Sequence, residues 1–195
     1  MSVAEISLML AAYLLGSVPF GLMATRLTDG PDPRSGGSGN IGATNVTRLA
    51  GKKAGVLTLF LDAAKGWIPT FLALAWWGPG WTAAAVGLAA FLGHLLPVYL
   101  RFKGGKGVAT GIGVMLAFSP WACLGILAVL ASLAWLSGYV SLGSLAGCLS
   151  APVWLFVLRE PAPLVGMAAI MALLVLWAHR KNIAQLRQGQ EHGFP

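Results

Sequence analysis

Hydrophobic residues run in long blocks along this chain, and short polar stretches separate them. Residues 2–24 are apolar apart from Glu5 and a few small polar side chains, a length that suits one bilayer crossing of about 20 residues. Residues 54–77 form a second block, with Asp62 and Lys65 inside it; residues 82–100 form a third, with His94 and Pro97. From 108 to 178 the chain stays apolar, broken at Ser119-Pro120, Ser137-Gly138 and Glu160-Pro161. Four further segments result, the first of which, 108–118, is short for a hydrocarbon layer about 30 Å thick. The pattern predicts an all-α integral membrane protein, a bundle of seven transmembrane helices forming one domain over residues 1–195. Five spans, with two longer ones after Gly107, is the alternative of the same parity.

Composition excludes a soluble globule. Of the 195 residues 57% are hydrophobic and 10% charged, where a soluble domain carries about 25% charged residues. Mean hydropathy is +0.76. The net charge of +7 reads as topology rather than as affinity for nucleic acid, because cytoplasmic loops of membrane proteins collect Lys and Arg. Of the 13 basic residues, all but Lys65 and Arg159 fall in three segments, 25–53, 101–107 and 179–195. Placing all three in the cytoplasm puts the N-terminus outside and the C-terminus inside. Residues 2–24 lack a basic leading region and precede positive charge, which fits an uncleaved span rather than a signal peptide. Gly78-Pro79-Gly80 is then an outer turn, bracketed by the interfacial aromatics Trp76, Trp77 and Trp81. Cys123 and Cys148 lie in apolar runs and read as inert buried thiols.

The polar loops carry the candidate chemistry. Residues 35–48 hold Ser35, Ser38, Asn40, Thr44, Asn45, Thr47 and Arg48, interleaved with Gly36, Gly37, Gly39 and Gly42. Uncovered amides in such a stretch can wrap an anion, above all where a helix follows. Gly37-Ser-Gly-Asn-Ile-Gly42 has the dinucleotide glycine spacing, but Pro-Asp-Pro-Arg-Ser precedes it instead of a strand. No Gly-Lys pair is followed by Ser or Thr, so a Walker loop is excluded too. Gly104-Gly-Lys-Gly107 has the same anion-binding character with Lys106 included. Gly42-Ala-Thr and Gly107-Val-Ala-Thr echo each other, for which chance is a sufficient account. The tail adds His179, Asn182 and Arg187, otherwise readable as a solvated amphipathic end.

Within the spans, Asp62 and Lys65 share a helical face and can pair, in a structural or a functional role. His94 is either a satisfied buried histidine or a participant in chemistry. Gly143 and Gly147 mark a close helix contact. Carboxylates and histidines are scattered, so neither metal nor cofactor is expected.

Taken together, three motifs resemble one family. They are Ser38-Gly-Asn-Ile-Gly-Ala-Thr-Asn-Val-Thr-Arg48, Gly104-Gly-Lys-Gly-Val-Ala-Thr110 and His179-Arg-Lys-Asn182 followed by Gly189 and Glu191. Leu61-Asp-Ala-Ala-Lys-Gly66 and Gly93-His-Leu-Leu-Pro-Val98 are also similar. The family is the bacterial membrane glycerol-3-phosphate acyltransferases of the PlsY type. The resemblance implies an enzyme of the bacterial cytoplasmic (inner) membrane, active on its cytoplasmic face in phospholipid synthesis. It implies acyl phosphate and glycerol 3-phosphate as substrates, with lysophosphatidic acid and phosphate as products. It implies catalytic roles for Ser38, Asn45, Arg48, Lys106, His179 and Asn182. Substrate binding would fall to Ser35, Gly37, Gly39, Asn40, Gly42, Thr44, Gly104, Gly105, Gly107, Thr110, Arg187 and Glu191. The His-x4-Asp pattern of other glycerolipid acyltransferases is missing, since Tyr99 follows His94 and Ala184 follows His179 at that offset. An acyl phosphate is already activated, so positioning and charge stabilisation could suffice.

Two rival readings use the same residues. A transporter for phosphate or a phosphorylated metabolite would explain the intramembrane Asp62 and Lys65, but the outer turns offer little polar entry. A lipid-binding adaptor needs only positive charge and leaves Ser38, Asn40, Thr44, Asn45 and Asn182 without purpose.

Overall fold

The computed structural model describes residues 1–193; Phe194 and Pro195, the end of the expected tail, lie outside the described residues. Among the described residues all regular structure is helical. The first apolar block is two helices, α1 (Val3–Gly16) and α2 (Phe20–Leu27), bent by 41° between them. The expected single crossing is thus bent, and Pro19 explains the break: proline supplies no amide, and it disfavours helical backbone at Val18. The Val18 carbonyl freed at this break is taken by Lys65 Nζ at 2.9 Å.

The first basic loop is also shorter than expected. Its second half is helical, because α3 runs Ala43–Trp77 with a kink at Gly51, whose φ of 84° leaves the helical region. The third block keeps its expected length but is not one helix. α4 (Trp81–Leu95) stops before Pro97, and a single 3₁₀ turn, Val98–Leu100, follows. Then come α5 (Val108–Phe118), α6 (Pro120–Ser137), α7 (Val140–Val157) and α8 (Ala162–Ala178). The predicted breaks are real: Ser119 caps α6 with Pro120 at its first position, and Gly138 ends it in the left-handed region. The tail folds as α9 (Arg180–Arg187), turned 57° from α8.

By length and apolarity α3, α4 with its 3₁₀ turn, α6 and α7 can each cross a membrane, and the two bent pairs can do so if each is one span. At 1.5 Å per residue α5 covers only about 16 Å, roughly half the hydrocarbon layer.

Small residues set the helix spacing, as is usual where lipid removes the hydrophobic drive between helices. A Cβ on Gly113 of α5 would overlap the Ala63 backbone of α3, and one on Gly143 would overlap the Leu130 carbonyl of α6. The close contact read from Gly143 and Gly147 is therefore the α6–α7 seam. Phe91, Leu155 and Leu164 are fully buried, whereas Phe60, Trp121, Trp135, Phe156 and Leu173 face outward. An apolar outer face of this kind fits lipid, not water.

Candidate active site

At one end of the bundle the three polar segments meet around a cavity of about 430 Å³. Asn45 builds the first wall. Its Oδ1 accepts from the Ser38 amide at 2.9 Å, and its Nδ2 donates to the carbonyls of Pro33 (2.8 Å), Asn40 (2.9 Å) and Gly36 (3.2 Å). The chain thus wraps around one buried amide. Gly37 makes the wrap possible, with φ 54° and no room for a Cβ beside Asn45 Oδ1. Asn45 reaches the cavity, and its side-chain oxygen and nitrogen are both bonded within the loop. Asn40 Oδ1 in turn accepts from the Gly42 amide at 2.8 Å, at the start of α3. Arg34 pairs with Asp32 on the exposed side and holds that carboxyl down at about 2, which leaves Arg48 as the cation facing the cavity.

The second wall is the 101–107 loop. Arg101 and Phe102 both adopt left-handed backbone, and the Phe102 amide donates to the Pro97 carbonyl at 2.9 Å. This reversal lays Gly104 and Gly105 on the end of α4 and turns Lys106 into the cavity. Gly107, at φ 84°, then starts α5, so Val108 and Ala109 line the cavity with the helix N-terminus. Gly42-Ala-Thr and Gly107-Val-Ala-Thr, which echo each other in sequence, hold like places in the fold. Each opens a helix, α3 and α5, whose first residues line the same cavity. Two helix N-termini supply unpaired amides and partial positive charge there. Burial pushes the Lys106 ammonium below its usual value and Arg48 adds to this, while Glu191 opposes it.

The third wall is the turn between α8 and α9. His179 Nδ1 lies 2.9 Å from the Val175 carbonyl, which fixes the proton there and leaves Nε2 as the free lone pair. Asn182 Nδ2 donates to both carboxylate oxygens of Glu191, at 2.8 and 3.0 Å. Arg48 Nη2 donates to the Gly193 carbonyl at 3.1 Å, tying the first wall to the tail. Asn182 is buried, so α9 is not merely a solvated amphipathic end.

Of the expected residues, Ser38, Asn40, Gly42, Thr44, Asn45, Arg48, Lys106, Gly107, His179, Asn182 and Glu191 line the cavity. Gly37, Gly39, Gly104 and Gly105 shape the loops behind it. Three of the expected residues, Ser35, Thr110 and Arg187, are not among those lining the cavity. Ser35 donates to the Asp32 carbonyl on the outside of its loop. Thr110 is fully buried where Gly66 of α3 meets α5. Arg187 is exposed on α9. The polar end opens into an apolar slot that sequence reasoning missed. Val56 and Leu59 come from α3, Ile112 from α5, Leu127 and Leu130 from α6, and Val140 from α7. Nothing marks these residues out in a chain so rich in their kind. Asp62 and His94 also reach the cavity wall. Among the described residues no group of three or more His, Cys, Asp or Glu could hold a metal ion.

His179 gives a pH prediction. Burial, with Lys106 nearby, depresses its pKa to about 4 from the usual 6.5. Because the folded value lies below the unfolded one, the unfolded chain takes up the proton first on acidification. The stability is present above pH 6.5 and is lost as pH falls toward 4, worth about 3 kcal/mol at most. Thermal unfolding of detergent-solubilised protein across this window should show the loss. A His179→Asn variant should show a shallower slope; an unchanged slope would place the burial penalty elsewhere.

The chain is similar to known proteins along nearly its whole length. A family model described as glycerol-3-phosphate acyltransferase matches residues 6–189. The chain is 48% identical over 188 residues to the glycerol-3-phosphate acyltransferase of Syntrophotalea carbinolica, covering 96% of each. It is 46% identical to that of Aquifex aeolicus, covering 96% of this chain and 97% of the relative. Two crystal structures of PlsY, described as an integral membrane glycerol 3-phosphate acyltransferase, are similar throughout. The glycerol 3-phosphate form has a TM-score of 0.95 at 45% identity, and the lysophosphatidic acid form 0.93 at 44%. Each match covers 98% of this chain and 96% of the solved one.

Proposed function

The chain belongs to the glycerol-3-phosphate acyltransferase family, and on that premise we propose that its cavity moves a fatty acyl group from acyl phosphate to the first hydroxyl of glycerol 3-phosphate. One observation carries this reading. Two helix N-termini, Lys106 and Arg48 converge at the polar end of a cavity whose other end is an apolar slot. Two phosphate groups need that much positive potential, and an acyl chain needs the slot.

In the transfer, the glycerol hydroxyl oxygen bonds to the acyl carbonyl carbon, and the bond from that carbon to the phosphate oxygen breaks. Phosphate leaves with the electron pair. The hydroxyl proton passes to His179 Nε2 and from there to an oxygen of the departing phosphate. His179 starts neutral at pH 7, as an acceptor must. Arg48 and Lys106 offset the phosphate charge, and Ser38 Oγ donates to the acyl phosphate or the developing oxyanion. Asn182, its Nδ2 held by Glu191, keeps Oδ1 to accept from a glycerol hydroxyl.

The bundle crosses the membrane seven times in this reading, with α5 as a short element, the N-terminus outside and the cavity on the cytoplasmic face. The clustering of Lys and Arg supports that orientation. The Lys65 contact to Val18 gives the intramembrane pair a structural use and removes the main motive for a transporter. Incubating purified protein with glycerol phosphate and acyl phosphate, acyl-CoA or acyl carrier protein tests the donor. Product is expected with acyl phosphate; product with acyl-CoA alone would overturn the assignment.

A further inference from the structure

His94 sits where the transfer chemistry does not need it. It is buried at the last turn of α4, its Nδ1 has no hydrogen-bond partner, and it lies 3.7 Å from Asp62 Oδ1. Asp62 is in turn fixed by Lys65 Nζ at 2.8 Å, and Lys65 by the Val18 carbonyl. On the opposite edge of the ring, Nε2 lies where a Cβ on Gly105 would stand. The His94 carbonyl accepts from the Gly105 amide at 3.1 Å and leaves no room for a Cβ on Gly104. One residue therefore touches both glycines that precede Lys106. Its side chain is clamped between α3 and the loop.

We propose that His94, held against Asp62, is a positioning residue for the Lys106 loop, setting how far Lys106 reaches into the cavity. The inference rests on the acyltransferase reading only for what Lys106 meets there. A side chain that merely filled space would not need a polar edge toward Asp62. The imidazole is a flat spacer referenced on one side to the Asp62–Lys65 pair and on the other to Gly105. The step it governs is binding of the acceptor phosphate, not acyl transfer itself.

The test is a double-mutant cycle between Gly105→Ala and His94→Ala, with His94→Gln as the variant that keeps volume and a polar group. Gly105→Ala should raise KM for glycerol phosphate about tenfold, with kcat and KM for acyl phosphate within about twofold of the parent. Adding His94→Ala opens the space that the new methyl needs. The double variant should then lie within about threefold of His94→Ala alone, rather than at the product of the two single losses. His94→Gln should fall between His94→Ala and the parent. Multiplying losses, or a His94→Ala variant that lowers kcat with KM for glycerol phosphate unchanged, would overturn the proposal. Absence of turnover by the parent with any donor would instead defeat the acyltransferase reading. Melting temperatures of the four proteins then decide: Gly105→Ala should destabilise the parent but not the His94→Ala background, and equal losses in both would overturn the contact.

Discussion

Asn45→Asp is expected to lower kcat/KM by at least about a hundredfold and to destabilise the fold more than Asn45→Ala does. The two side chains have the same shape. Aspartate keeps an acceptor for the Ser38 amide but loses Nδ2, which serves three carbonyl oxygens. It also sets a carboxylate against those oxygens at a site only 2% exposed. Leaving buried acceptors unpaired costs about 1–3 kcal/mol each, and the like-signed contact adds to that. Alanine removes both the Nδ2 donor and the acceptor of the Ser38 amide but adds no charge, and water can enter the gap. The expected order of both activity and melting temperature is Asn, then Ala, then Asp. Were Asn45 a direct donor to substrate, both variants would lose turnover while keeping the parent's melting temperature. That result would return Asn45 to the role its motif implies.

This residue also shows what was legible in the sequence. The motif marked Asn45 as important, because a glycine-rich polar loop before an apolar block points to anion binding. It could not say whether the amide faces inward or outward, since that depends on carbonyls five to twelve residues away. The same limit explains Thr44 and Thr110. Both follow a glycine that opens a helix, but Thr110 lies one position further along, about 100° around the axis. That rotation turns it into the α3 contact. Breaks written in proline or glycine at Ser119-Pro120, Ser137-Gly138 and Glu160-Pro161 were readable, since backbone chemistry is local. Pro19 was local too, but the apolar run around it masked the bend. The apolar slot was not readable at all: Val56, Ile112 and Leu130 differ from their neighbours only in which way their helices turn.

The buried ion pair gives the largest stability effect. Lys65→Met should lower stability by about 3–5 kcal/mol, the usual cost of leaving one buried partner uncompensated. Asp62 Oδ1 loses its cation at 2.8 Å, and the Val18 carbonyl loses the charged one of its two donors, at 2.9 Å. Both Asp62 and Lys65 have side chains only 2% exposed, so water does not screen the loss. For a chain of this size the change amounts to roughly 10 °C in Tm. Asp62→Leu combined with Lys65→Met removes both charges and should recover most of the deficit, because a packed apolar pair often matches a buried ionic one. The recovery should be incomplete, since the Val18 carbonyl at the Pro19 bend keeps only the Phe20 amide at 3.1 Å and loses the charged donor. A double variant as unstable as the sum of its singles would show that the two residues do not compensate each other. Activity need not return with stability. Asp62 also faces His94, so a double variant that melts like the parent yet binds glycerol phosphate weakly separates the two uses of one carboxylate: ion-pair partner within the bundle, and backing for the ring that carries the Lys106 loop.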